Sequence, residues 1–165
     1  MTPRSILVVT DFSELGGHAL ARAALLGAEH RAALQLVYLS APGEVPPPDV
    51  AVRLSHHALQ LRQRHQIAVQ AVSRVDCTVA DIARAAAAHD LVVWGTAPQR
   101  GLRAWWGTHP ALQLLRACQR PVVVVRNAAD QTYQSLLVAV DFSQASHRLV
   151  ELGPVSYTHL TLPTS

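Results

Sequence analysis

Short apolar runs rich in β-branched residues recur along the chain and alternate with stretches of helical periodicity. Ser5 to Thr10 (SILVVT) and Pro121 to Arg126 (PVVVVR) are near-continuous, the pattern of parallel strands covered on both faces. Leu34 to Leu39, Ile67 to Val75 and Leu91 to Trp94 supply three more such runs. Between the first two, Asp11-Phe12-Ser13-Glu14 opens an Ala/Leu-rich helix that reaches about Arg31. Ala41 to Asp49, with Pro42, Gly43 and prolines at 46 to 48, predicts a loop. Val50, Leu54, Ala58 and Leu61 then recur at helical spacing, with Arg53, His57, Gln60 and Arg64 on the opposite, solvated face. Val79, Ile82, Ala83 and Ala86 mark a third helix, and Ala111, Leu114, Leu115 and Cys118 share one face of a fourth.

Five strands alternating with four helices make repeated βαβ units. Right-handed crossovers turn these into an open parallel sheet with helices on both faces, an α/β fold. Such sheets take ligands at the carboxyl ends of their strands, where the strand order reverses. Beyond residue 126, Ser135 to Ser143 (SLLVAVDFS) repeats Ser5 to Ser13 (SILVVTDFS) with six of nine positions identical. The expected organisation is one domain over 1–128, a linker at 129–134 and the truncated start of a second copy at 135–153. From Pro154 the composition shifts to VSYTHLTLPTS, and 154–165 reads as a non-native tail.

Composition narrows the chemistry. Half of the 165 residues are hydrophobic and 15% charged, enough for a buried core, and no apolar run approaches the roughly twenty residues of a membrane span. The first residues lack a secretory signal pattern, so a cytoplasmic location is expected. Cys77 and Cys118 have no paired spacing for a disulfide framework or thiolate zinc site. All fourteen basic residues are Arg, which excludes a P-loop and a Schiff-base enzyme, both of which need Lys. His56, His57 and His65 lack chelating spacing and read as solvated. Net charge is +3, but no acid lies between Asp90 and Asp130, where Arg100, Arg103, Arg116, Arg120 and Arg126 all fall. That region is either solvated helix surface or a field for an anionic ligand. Interleaved aromatics and a basic stripe on one element are lacking, so nucleic acid is not expected as a partner.

ILVVTDFSELGGHALARAALLGA at the start, and VVWGT followed by WWGTHPALQLLRACQRPVVVVR near the end, resemble the opening and closing blocks of the universal stress protein family. The resemblance covers residues 5 to 126 and restarts at 135. It implies a five-stranded sheet of order 3-2-1-4-5, an adenine-nucleotide α-hydrolase-like architecture, with nucleotide in ATP-binding members lying across the reversal between strands one and four. On that resemblance Asp11 and Leu39 lie on the adenosine side. The residues alone read Asp11 equally well as a helix cap. The family's phosphate loop has Gly, two residues, Gly, nine residues, then Gly and Ser or Thr. Gly95 and Gly107-Thr108 fit its ends, but Pro98 replaces the second Gly and the spacing is one residue short. Proline offers no N–H to a phosphate and cannot take a left-handed turn. Gly101 can compensate by moving the turn, and Arg100 and Arg103 can supply charge. Asp76-Cys77-Thr78 also replaces the family's Gly/Pro turn after strand three, and Trp105 and Trp106 read as packing beneath the loop.

The expected function is therefore a regulatory module that binds ATP, with Mg²⁺, without catalysis. The alternative is a stress-response interaction module that has lost nucleotide binding and keeps the same residues as caps and turns. An ATP-using enzyme is disfavoured, because no Lys and no acid–base pair accompany the site. The four-valine edge strand Val122 to Val125 is expected to self-associate.

Overall fold

A computed structural model of the chain describes residues 2–40, 45–72, 78–95 and 110–133. The elements run β1 (Ser5–Thr10), α1 (Glu14–His30), β2 (Ala33–Tyr38), α2 (Val50–His65), β3 (Val69–Val72), α3 (Val79–Ala86), β4 (Leu91–Gly95), α4 (Pro110–Ala117) and β5 (Val122–Val125). All strands are parallel and their order is β3-β2-β1-β4-β5, as the resemblance implied. Backbone contacts divide the chain into Pro3–Asp130 and a second unit of Met1–Thr2 with Gln131–Ser165. The expected second copy at 135–153 lies outside the described residues, as does the 154–165 tail.

Strand register fixes which side chains share a face. Leu7 pairs with Val92 and Val9 with Trp94 across β1 and β4. With Val37 and Leu39 these residues meet Ile82 and Ala86 of α3 and Leu114 of α4 in one buried cluster. Their neighbours Ile6, Val8 and Leu36 are also fully buried, on the opposite face, where α1 and α2 pack against β1, β2, β3 and β4. Right-handed crossovers place α1 and α2 together because the chain moves one way from β1 to β3, and α3 and α4 together because it then returns past β1.

Local chemistry sets the helix ends. Ser13 caps α1, its Oγ accepting from Gly16 N–H at 3.1 Å. Thr78 caps α3 in a reciprocal box with Asp81, whose carboxyl is held below its ordinary range chiefly by the Thr78 hydroxyl and N–H. α1 and α2 both end on left-handed residues, Arg31 (φ 54°) and Gln66 (φ 54°), whose N–H groups return to carbonyls of the last turn.

Two sequence expectations are corrected. β3 starts at Val69 rather than Ile67, because after the left-handed Gln66 the chain first pairs with β2 at Leu34. In α4, Leu114 is fully buried but Leu115 is 45% exposed, so Leu115 does not share the core face. Its step of 100° from Leu114 carries it beyond the sheet's cover.

The start of β1 is clipped to the start of β4. Asp90 Oδ2 accepts from Arg4 N–H (2.8 Å), Ser5 N–H (3.1 Å) and Ser5 Oγ (3.1 Å), and Asp90 N–H donates to the Ser5 carbonyl at 3.0 Å. The Arg4 N–H bond is the main cause that holds the Asp90 carboxyl below its ordinary range; burial opposes it. Replacing Asp90 with Ala should lower stability by about 1–3 kcal/mol, since part-buried donors lose their acceptor. Asp90→Asn, which keeps an acceptor, should lose less. A lowered carboxyl stabilises above its unfolded value and loses that contribution as pH falls through the folded one. Urea unfolding should therefore show the gap between wild type and Asp90→Asn closing below about pH 4; a gap that persists there would refute the charge's part in the clip.

Candidate functional site

In the order β2-β1-β4 the chain leaves β1 towards one side and returns to the other, so the carboxyl ends of these three strands flank a crevice. Asp11 follows β1, Leu39 follows β2, and Gly95 ends β4. The structure thus brings three of the expected site residues to one end of the sheet. The other four, Arg100, Gly101, Gly107 and Thr108, lie outside the described residues, together with Pro98, Arg103 and the two tryptophans.

Asp11 is exposed and is not the helix cap; Ser13 is. Asp11 Oδ1 accepts from Ser13 N–H at 2.9 Å and from Ser13 Oγ at 2.5 Å, so the carboxylate holds the capping hydroxyl in place. Its Oδ2 has no partner among the described residues, which leaves one charged acceptor open at the end of β1.

Gly95 meets a backbone constraint. A Cβ there would collide with the Leu15 carbonyl in the first turn of α1, so β4 and α1 touch without an intervening side chain. Gly16 answers it from the helix side: a Cβ on Gly16 would come within 2.6 Å of Thr10 Oγ1 and 2.7 Å of Asp11 Oδ1. Leu39 is 7% exposed and its side chain belongs to the core cluster. Its N–H donates to the Thr10 carbonyl at 3.0 Å. What Leu39 offers a ligand is its own carbonyl, which is without a partner among the described residues.

Sequence reasoning missed a ring cluster beside this crevice. Phe12 takes a left-handed backbone (φ 59°), with its N–H donating to Thr10 Oγ1 at 3.1 Å. A non-glycine residue there carries strain of about 1–3 kcal/mol, which neighbouring contacts must offset. The Phe12 ring stacks on Tyr38 (4.9 Å, 24°) and on His57 (5.9 Å, 21°), and the Arg53 guanidinium sits 4.1 Å from its centroid. Arg53 and His57 were expected on a solvated face; both are half-buried against Phe12. The available signal was their i, i+4 spacing on α2, which points two planar side chains the same way.

Burial, then His56, then Arg53 hold the His57 pKa below its ordinary value, and burial with Arg64 acts likewise on His65. The folded chain therefore favours neutral imidazoles, while the unfolded chain takes up protons near pH 6.5. Stability should be complete above about pH 6.5 and fall as pH drops through the folded values. Melting temperatures from pH 7 to 5 should decline less steeply for His57→Gln than for wild type. Parallel declines would remove His57 from the pH response.

A doubly wound parallel sheet of order 3-2-1-4-5, with an acid, a strand-end carbonyl and a glycine at the carboxyl ends beside its reversal, defines an open α/β domain of the adenine-nucleotide α-hydrolase-like fold. The sequence profile of the universal stress protein family matches residues 2–126, and the chain belongs to that family. Solved structures agree on the fold. A universal stress protein crystallised in complex with cAMP superposes with a TM-score of 0.64 at 17% identity, covering 76% of this chain and 98% of that one. A member of the family from Burkholderia pseudomallei gives 0.52 at 26% identity, over 75% and 96%. The universal stress protein from Archaeoglobus fulgidus in complex with dAMP gives 0.53 at 19% identity, over 76% and 100%. No curated protein matches the chain. Among the described residues no helix is long and apolar enough to cross a membrane.

Proposed function

We propose that this chain is a cytoplasmic regulatory member of the universal stress family that binds an adenine nucleotide, ATP with Mg²⁺, without turning it over. The observation that carries this reading is that Asp11 Oδ2 and the Leu39 carbonyl, neither with a partner among the described residues, follow the carboxyl ends of the adjacent strands β1 and β2 next to the strand-order reversal. Two acceptors at adjacent strand ends suit the donor groups of adenosine, the amine of its base and the hydroxyls of its ribose. Solved members of the family in complex with cAMP and dAMP support the same ligand class. On the phosphate side the candidates are Gly95, Arg100, Gly101, Gly107 and Thr108, of which only Gly95 is among the described residues. Absence of turnover rests on the sequence, which has no Lys and no acid–base pair for the site.

Isothermal titration of the chain with ATP and Mg²⁺ tests the reading. Asp11→Asn keeps an acceptor for Ser13 and removes the charge, so the fold should survive while affinity falls about tenfold, the loss of one charge-assisted hydrogen bond. Undiminished affinity would overturn the site. Phosphate release above the level of buffer would overturn the absence of turnover.

The edge of the sheet supports a companion reading, self-association through β5. Val122, Val123 and Val124 are half-buried on a strand with one side unpaired among the described residues, whereas Val125 is buried. Light scattering should report a dimer that Val123→Lys converts to monomer with its circular dichroism unchanged. A wild-type monomer, or a dimer unaffected by the substitution, would refute edge pairing.

A further inference from the structure

The opposite end of the sheet carries a second concavity. A cavity of about 340 Å³ lies where β1, β2 and β3 begin, with Ser5, Gln35, Arg62, Gln70 and His89 among its lining residues. Its volume is at the small end of the range for organic ligand sites. None of these residues belongs to the crevice at the carboxyl ends.

Three features give the cavity a chemistry. Arg62 Nε donates to the Val69 carbonyl at 2.5 Å, which fixes the guanidinium beside the start of β3, and its two terminal nitrogens have no partner among the described residues. A fixed fork with free donors suits an oxyanion. His89 is nine-tenths buried, and its Nδ1 lies 3.0 Å from the Ala85 carbonyl. Because a carbonyl can only accept, Nδ1 carries the proton, which leaves Nε2 as the ring atom that can meet a ligand hydroxyl. Gln35 and Gln70 are register partners on adjacent strands, so their amides share one face and can serve either group.

The field at this end favours an anion. Arginines precede four of the five strands: Arg4 before β1, Arg31 before β2, Arg62 before β3 and Arg120 before β5. Helix carboxyl ends bring roughly half a negative charge each, which accounts for some of these bases and is outweighed by their sum. Of the carboxylates near this end, Glu29 sits in the last turn of α1 and Asp90 is already committed to the Arg4 and Ser5 donors.

We propose that this cavity is a second ligand site, which takes a small hydroxylated anion: a phosphate or carboxylate on Arg62 and a hydroxyl on Nε2 of His89. A phosphorylated polyol and a hydroxy acid share that chemistry. Titration of the full chain with glycerol 3-phosphate, glycerate and, as a control without a hydroxyl, propionate, followed by amide shifts, tests the assignment. Glycerol 3-phosphate or glycerate should bind saturably and move Ser5, Gln35, Gln70 and His89 but not Asp11 or Gly95; the tighter of the two identifies the oxyanion. Propionate should bind at least tenfold more weakly. Arg62→Gln should weaken binding at least tenfold, and Gln70→Leu, at an exposed position that does not support β3, should weaken it several-fold. Arg64→Gln should leave it within twofold. Absence of saturable binding, shifts confined to the carboxyl end, equal binding of propionate, or undiminished binding by both Arg62→Gln and Gln70→Leu would overturn the proposal.

Discussion

The first turn of α1 lies directly on the last residue of β4, backbone against backbone, and the position of the candidate crevice depends on that contact. Glycine at 95 removes the side chain that would hold the helix off, and glycine at 16 makes room for Thr10 and Asp11 beneath the same turn. With the helix this close, only four residues separate the buried end of β1 from the second residue of α1. The chain covers that distance through the left-handed Phe12 and the Asp11 to Ser13 to Gly16 relay of hydrogen bonds. One packing constraint therefore sets where the Asp11 carboxylate emerges and which way the Phe12 ring turns.

The two ends of the sheet differ in charge for a reason built into a parallel fold. Each helix starts near the carboxyl ends of the strands and finishes near their amino ends, so helix dipoles favour acids at the first and bases at the second. Glu14 and Asp81 occupy first turns, and Arg62, Arg64, His65 and Arg116 occupy last turns. At the carboxyl end this leaves a carboxylate and a carbonyl beside the strand-order reversal. At the amino end it leaves several guanidinium groups near the strand starts, one of which, Arg62, lines the cavity there. Electrostatics that first serve helix ends thus give each end of the sheet a different ligand preference.

Much of this was legible along the chain. Continuous apolar runs predict buried parallel strands because a strand covered on both faces has no solvated side to alternate with. The i, i+3, i+4, i+7 spacing of Val79, Ile82, Ala83 and Ala86 predicts the core face of α3 in the same way. Asp11, Leu39 and Gly95 were singled out by the resemblance to the family, and the general rule that such sheets take ligands at their strand ends points to the same place. What periodicity cannot weigh is how far a neighbouring element extends, and so Leu115, adjacent to the buried Leu114, was placed on the wrong side of α4.

The sequence by itself determined the order and kind of the elements, the family, and the balance of bases over acids, since each of these depends on residue type at local spacing. Tertiary structure alone decided that Ser13 rather than Asp11 caps α1, that Gly95 answers to the Leu15 carbonyl, and that Arg53 and His57 leave solvent for the face of Phe12. It alone brought Arg62 and His89, 27 positions apart in the chain, to one cavity. The reason is the same in every case: these roles are fixed by contacts between elements distant in sequence, and local spacing carries no record of which backbones the fold will press together.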